Sequence, residues 1–112
     1  MVKHTYTPGW YLPGGGIKRR ETPFMGMVRE TWEETGVYVI QAKLISVLYH
    51  EIHHVPDHLF LYQAGTFAVY DNTSPEILEK KWWPLTNLPP DMHPNTKHYL
   101  QLIQALPVRG DK

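Results

Sequence analysis

Thr22 to Gly36 carries both the start and the stop of a helix, and that helix must bear three glutamates crowded into five residues. Thr22 suits the N-cap, because its hydroxyl can accept from an amide of the first turn. Pro23 suits the first helical position, where a missing N–H costs nothing. Gly36 suits the left-handed residue that closes a helix. The signals predict a helix over about residues 23–35. Glu30, Glu33 and Glu34 then fall at i, i+3 and i+4 on one side. Like charges so spaced repel by a few tenths of a kcal/mol per pair. A divalent cation bound between them would reverse the sign of that cost.

On a wheel of about 100° per residue, Phe24, Met27, Val28, Thr31 and Thr35 make a second stripe, which should face a sheet. Gly26 falls within the acidic stripe. A mid-helix glycine costs about 1 kcal/mol relative to alanine, so a close approach by backbone or ligand is expected there. Arg29 stands one turn before Glu33 and can pair with it. Met25 and Trp32 lie opposite the glutamates, where they pack against a loop or meet another subunit.

The rest of the chain sets the frame. Its 112 residues suffice for one small domain, and 42% hydrophobic with 20% charged residues fits a folded protein. Eleven Lys and Arg balance eleven Asp and Glu. That balance argues against nucleic acid or a membrane surface as partner. There is no cysteine, hence no disulfide framework and no thiolate metal site. No apolar run approaches a membrane span and no signal-peptide pattern opens the chain, so a cytoplasmic location is expected.

Val2 to Tyr6 reads as the end of a strand, stopped by Thr7-Pro8-Gly9. Trp10 to Leu12 is a short extended piece before Pro13-Gly14-Gly15-Gly16. Val37 to His50 and Leu59 to Tyr70 are long β-rich runs. The polar stretch His50 to His58 between them reads as a hairpin loop. A third strand is expected within Ile77 to Leu85, around Trp82-Trp83. Adjacent residues of a strand face opposite sides, so one of these tryptophans should be core and the other free to stack on a base or to pack on the last helix. Asn95 can cap that helix, with Tyr99, Leu100, Ile103 and Leu106 on one stripe. This order of elements predicts an α/β fold with a mixed sheet.

Mg²⁺ takes oxygen ligands in octahedral geometry, commonly one or two carboxylates plus substrate phosphates. The acidic helix face after a glycine-rich turn offers that chemistry, and a metal so held can activate a water for attack on phosphorus. Alone, the three glutamates read as a solvated helix face, and only the combined spacing raises the metal reading above it. His50, His53, His54 and His58 fit no standard zinc spacing, and read as ordinary loop residues or as polar groups near a substrate mouth.

The combined spacing, Gly15, Glu21, Arg29-Glu30, Glu33-Glu34 and Gly36-Val37, resembles the Nudix box, G-x5-E-x7-R-E-U-x-E-E-x-G-U with U bulky and aliphatic. Trp10 to Gly16 is similar to the family's approach to the box, and Glu76 to Pro89 to the strand and turn that follow it. The resemblance implies an α/β/α sandwich formed by a single domain over residues 1–112, with the box at 15–37. It implies hydrolysis of a diphosphate linkage in a nucleoside diphosphate derivative, with Mg²⁺ or Mn²⁺ as cofactor. By position, Glu30, Glu33 and Glu34 would bind the metal, aided by a carbonyl of Gly14 or Gly15. Arg29 would orient the glutamates, and Glu21 would brace the loop. Glu33 is the expected general base, with Glu51 and Glu76 as candidates outside the box. The substrate-binding residues stay open.

Three departures from the pattern stand out. Thr31 replaces an aliphatic residue on the core stripe. Arg20 stands where glycine is common, and Lys18-Arg19-Arg20 would lie near the rim of the site, as a phosphate attractor or as a solvated loop. Complete domains of the family open a few tens of residues earlier, so the chain is read as lacking the usual N-terminal part. An open sheet edge is therefore expected, and with it a chain that either self-associates, as a homodimer, or is only marginally stable. The alternative function is a catalytically weak nucleotide-binding or interaction module.

Overall fold

The computed structural model describes residues 1–52 and 54–105, without the side chains of His50, Ile52, Val55 and Pro56. His53, the His50 imidazole and Leu106 of the last helical stripe thus lie outside the described residues. The elements run β1 (Val2–His4), β2 (Trp10–Tyr11), α1 (Pro23–Thr35), β3 (Val37–Ile52), β4 (Val55–Val69), β5 (Ile77–Lys80) and α2 (Pro94–Gln104). The class is the α/β class expected. The chain forms two compact units: Met1–Leu12 with the chain from Pro75 onward, and Pro13–Ser74.

In the first unit the strands lie in the order β2-β1-β5, with antiparallel ladders. One isolated parallel bridge joins Trp10 to Met92. Met1 and Lys81 exchange backbone bonds at the end of the β1–β5 ladder, at 2.8 and 3.0 Å. Among the described residues of this unit, Val2, Trp10, Pro89, Thr96 and Leu100 are buried. The third strand is shorter than expected. It ends at Lys80, and Trp82 and Trp83 follow it in irregular backbone. Pro84 limits any extension, because it has no N–H to give to a ladder. The two tryptophans still differ, though neither is core: half-buried Trp83 meets Trp10 edge-on at 5.4 Å beneath the Lys81 ammonium, while Trp82 is exposed. The cap of α2 also moves. His93, not Asn95, is the N-cap: Pro94 takes the first helical position, and the Asn95 amide donates to His93 Nδ1 at 3.1 Å.

In the second unit α1 has the predicted bounds. Thr22 Oγ1 accepts from the Met25 amide at 3.1 Å, and Gly36 closes the helix at φ 77° with its amide on Trp32 O. Two further groups cap its last turn, Asn72 Nδ2 on Trp32 O at 3.0 Å and Thr73 Oγ1 on Glu34 O at 3.1 Å. Phe24 meets Tyr62 of β4 edge-on at 5.8 Å, so the apolar stripe does face strands. Met25 is half-exposed, and Trp32 packs edge-on to Tyr38 and Tyr70. Both line an open cavity of ≈ 470 Å³ with Phe24, Val28, Tyr38 and Ile40.

β3 and β4 form one long antiparallel ribbon from the pair Val37–Val69 to the pair Ile52–Val55. The expected nine-residue polar loop is thus mostly strand, with His54 at φ 65° in the tight turn. Backbone pairing continues through polar residues, because an exposed ribbon accepts them on either face. Bulges interrupt the register between Val39 and Ser46.

Gly36 is held by φ and by space together. A Cβ there would run into the carbonyl oxygens of Tyr70 and Asn72. Gly36→Ala should therefore lower unfolding stability by about 2 kcal/mol or more, combining left-handed strain with a backbone clash. Urea unfolding followed by circular dichroism checks this; a loss under about 0.5 kcal/mol would contradict it.

Candidate active site

The glycine-rich turn and α1 are held together by one guanidinium. Arg29 Nε donates to Glu21 Oε2 at 2.7 Å, and Nη2 donates to Glu21 Oε1 at 3.0 Å. This is a two-pronged carboxylate contact, for which a planar guanidinium is suited and an ammonium is not. Nη2 also donates to the Gly16 carbonyl at 2.9 Å. On the other side, Nη1 donates to Glu33 Oε1 at 3.2 Å and lies 3.7 Å from Glu30 Oε1. One cation therefore ties the loop before the helix to two of its glutamates.

Glu21 closes the loop on itself as well. Its Oε1 accepts from the Lys18 amide at 2.8 Å, while its own amide donates to Lys18 O at 3.0 Å. The Arg29 guanidinium, bonded to it, and the Lys18 amide hold the Glu21 carboxyl down to about 2. Conversely, Glu21 pushes the pKa of Arg29 up. Gly26 is covered by this loop: a Cβ on it would sit in contact with Ile17 and the Glu21 carboxylate. The close approach expected at Gly26 comes from the loop, not from a ligand.

The three box glutamates differ in setting. Glu30 is largely buried, with 19% of its side chain exposed, and its carboxylate occupies the space that a Cβ on Gly15 would need. A side chain at position 15 would displace the Glu30 carboxylate from this position. Burial raises the Glu30 pKa, and so do the charge and hydrogen bond of Glu33; Arg29 opposes them. Glu33 is more open, with 47% of its side chain exposed. Glu34 Oε1 accepts from the Gly14 amide at 3.1 Å. Glu30 and Glu33 thus adjoin each other, while Glu34 is engaged with the turn.

Among the described residues, no three His, Asp or Glu side chains converge as a ready-made metal site. The donor set nevertheless suits a hard cation. It is all oxygen, two like-charged carboxylates adjoin, and burial makes added positive charge favourable at Glu30. Glu51 is near the end of β3, where Tyr49 Oη donates to it at 3.4 Å. Glu76 belongs to the first unit, where its carbonyl accepts from the Thr5 amide at 2.9 Å. His54 and His58 are exposed on the ribbon, and His58 rests against Tyr49.

Lys18, Arg19 and Arg20 are all exposed. Arg20 adopts φ 70°, a left-handed conformation that costs a non-glycine residue roughly 1–2 kcal/mol. From the resemblance, Arg20 stands where glycine is common, and Lys18-Arg19-Arg20 reads as a phosphate attractor or a solvated loop. Two partners had no sequence signal: the Gly16 carbonyl that anchors Arg29, and the Asn72–Thr73 pair that caps α1 across a span of about forty residues.

Glu21 carries a pH dependence whose sign is fixed by its lowered pKa. Its stabilising contribution is present above the ordinary value of 4.5 and is lost as pH falls toward about 2. Thermal melts between pH 5 and pH 2 should show a steeper loss for the parent protein than for Glu21→Gln, in which that ionisation is removed. Parallel melting profiles would rule out the Arg29–Glu21 contact as the cause.

Comparison with known proteins adds a family to this geometry. A family model described as the NUDIX domain matches residues 1–103. An RNA pyrophosphohydrolase of Psychrobacter sp. (strain PRwf-1) is 31% identical over 90 residues, which cover 80% of this chain and 46% of that protein. A MutT-like protein of Streptomyces ambofaciens is 50% identical over 38 residues, 34% of this chain and 25% of that protein. An 8-oxo-dGTP diphosphatase of Proteus vulgaris is 34% identical over 73 residues, 64% of this chain and 59% of that protein. The matched region thus spans about a quarter to three-fifths of the length of these relatives. Among solved structures, a MutT NUDIX hydrolase from Burkholderia pseudomallei matches with a TM-score of 0.75 and 26% identity, over 89% of this chain and 83% of that one.

Proposed function

The chain belongs to the Nudix family, and from that premise we propose that it is a metal-dependent pyrophosphohydrolase cleaving a diphosphate linkage in a nucleoside diphosphate derivative. The observation that carries this reading is the placement of Glu30 and Glu33 on one helix face beside the Arg29 guanidinium, which also fastens the glycine-rich turn. Glu30, Glu33 and Glu34, with the Gly14 carbonyl, are the residues that would hold Mg²⁺ or Mn²⁺. Such an ion, when bound, supplies charge neutralisation on the phosphates and a water acidic enough to attack phosphorus.

The protein's own residues account for the rest. Glu33 is more open than Glu30 or Glu21, with 47% of its side chain exposed against 19% and 14%. Its carboxylate accepts the proton of the attacking water. The water oxygen then bonds to phosphorus, the bridging P–O bond breaks, and the leaving phosphate departs with the bond's electron pair. Arg29 contributes by restricting Glu33, through Nη1 on Oε1. Glu21 keeps Arg29 in place and does not touch the reacting atoms. The outer edges of the β3–β4 ribbon have no strand partner among the described residues, which supports a homodimer.

Turnover of a nucleotide panel with Mg²⁺ tests the reading. Glu33→Gln should reduce kcat by about 10²-fold or more, the usual range for loss of a general base. Chelation should abolish activity, and Mg²⁺ or Mn²⁺ should restore it. If parent and Glu33→Gln are equally inactive yet bind nucleotide, the non-catalytic binding module is the correct reading.

A further inference from the structure

Beside the acidic face the second unit presents three consecutive exposed cations, Lys18, Arg19 and Arg20. Their backbone is fixed. The Lys18 amide and carbonyl both bond to Glu21, and the adjoining Gly16 carbonyl is held by Arg29. Among the described residues neither Arg19 nor Arg20 forms an ion pair. Glu21, Glu33 and Glu30 already have the Arg29 guanidinium as their cation, so the charge of Arg19 and Arg20 is left for a ligand. Lys18 lies close enough to Glu21 and Glu30 to favour their charged forms, which places the basic turn beside the acidic cluster.

Arg20 adds a second, independent observation. It holds φ 70°, where glycine would sit without strain. An arginine kept in a conformation that disfavours it, with no partner among the described residues, needs a reason in its charge. Resting on the proposed hydrolase reading, we infer that Lys18, Arg19 and Arg20 form a phosphate-binding rim that selects substrates carrying a triphosphate over those carrying only a diphosphate bridge. The chemistry is charge counting. A bridging diphosphate has about two negative charges to offer, and a terminal triphosphate about four. If a cation on the glutamates takes part of that charge, a diphosphate bridge has little left for the rim, whereas a triphosphate still has a terminal phosphate. A free nucleoside triphosphate and the 5′ end of an RNA share this group.

The test compares the parent protein, Arg20→Gly, and the triple change Lys18→Gln, Arg19→Gln, Arg20→Gly. Substrates are a nucleoside triphosphate, a short 5′-triphosphorylated oligoribonucleotide and ADP-ribose. The triple variant should show a KM about tenfold higher on at least one triphosphate substrate, falling away at high salt, with a change under about threefold on ADP-ribose. The loss should lie in KM more than in kcat. Arg20→Gly should show part of the effect while melting at the same or a higher temperature, which separates charge from folding. A response on the oligonucleotide alone assigns the rim to RNA ends, and a response on both assigns it to the triphosphate itself. Unchanged KM on both triphosphates, or an equal loss on ADP-ribose, overturns the inference.

Calorimetric binding of inorganic tripolyphosphate reads the rim without turnover. If the parent protein hydrolyses nothing but its tripolyphosphate affinity drops about tenfold in the triple variant, the rim stands and the hydrolase reading falls. If no substrate is turned over and that affinity is unchanged, the rim falls as well.

Discussion

The site depends on where the Arg29 guanidinium can reach. Its two edges serve different purposes. One edge grips Glu21 and Gly16, so the loop cannot leave the helix; the other faces Glu33 and Glu30. Without that cation, Glu21, Glu30 and Glu33 would be three negative charges around one point, two of them largely buried. Burial makes such a cluster costly, since a carboxylate with less water prefers to be neutral. Arg29 answers part of that demand and leaves the rest. Glu21, gripped on both oxygens, is driven toward permanent ionisation, whereas Glu30, at the edge of the guanidinium's reach, is pushed the other way. One residue therefore separates a structural carboxylate, Glu21, from one, Glu30, that burial leaves readier to take a proton or a cation.

The helix itself was legible because its determinants are local. A threonine cap, a proline at the first position and a glycine stop act within one turn of each other and do not wait for tertiary structure. The i, i+4 pair of Arg29 and Glu33 follows from helical geometry alone. The grip of Arg29 on Glu21 and Gly16 does not, because it depends on how the loop folds back, and only the family resemblance pointed to Glu21 as a brace. The cap of α2 could have been read correctly. Pro94 belongs at the first helical position, which puts the cap at His93, and the strong preference for asparagine at caps drew attention two residues too far.

The hairpin failed to show its length for a different reason. Strand pairing is a backbone interaction, and side-chain polarity reports only which face meets water. The polar run after Tyr49 signals exposure, which is compatible with a ribbon exposed on both faces as well as with a loop. Trp82 and Trp83 make the converse point. Their aromatic character suggested a strand, but Pro84 and the end of the β1 ladder set the limit. Trp83 is placed by Trp10 and Lys81 instead.

Arg20 shows how a departure from a pattern acquires meaning once the backbone is known. In sequence it is one more charged residue in a polar loop. At φ 70° the same residue sits in a conformation that glycine would adopt freely, so the arginine is there despite the local backbone preference. The packing of the turn gives it no compensation, since no described carboxylate pairs with it. The turn is nevertheless rigidly specified, by the Lys18–Glu21 exchange of hydrogen bonds and by Arg29 on Gly16. A rigid backbone can hold an unfavourable residue that a looser loop would relax, and it holds the attached charge in a fixed place. The bonds that assemble the acidic face thus also fix the position of the cations beside it, and a polyanion is the kind of ligand for which both signs of charge in adjacent places are useful.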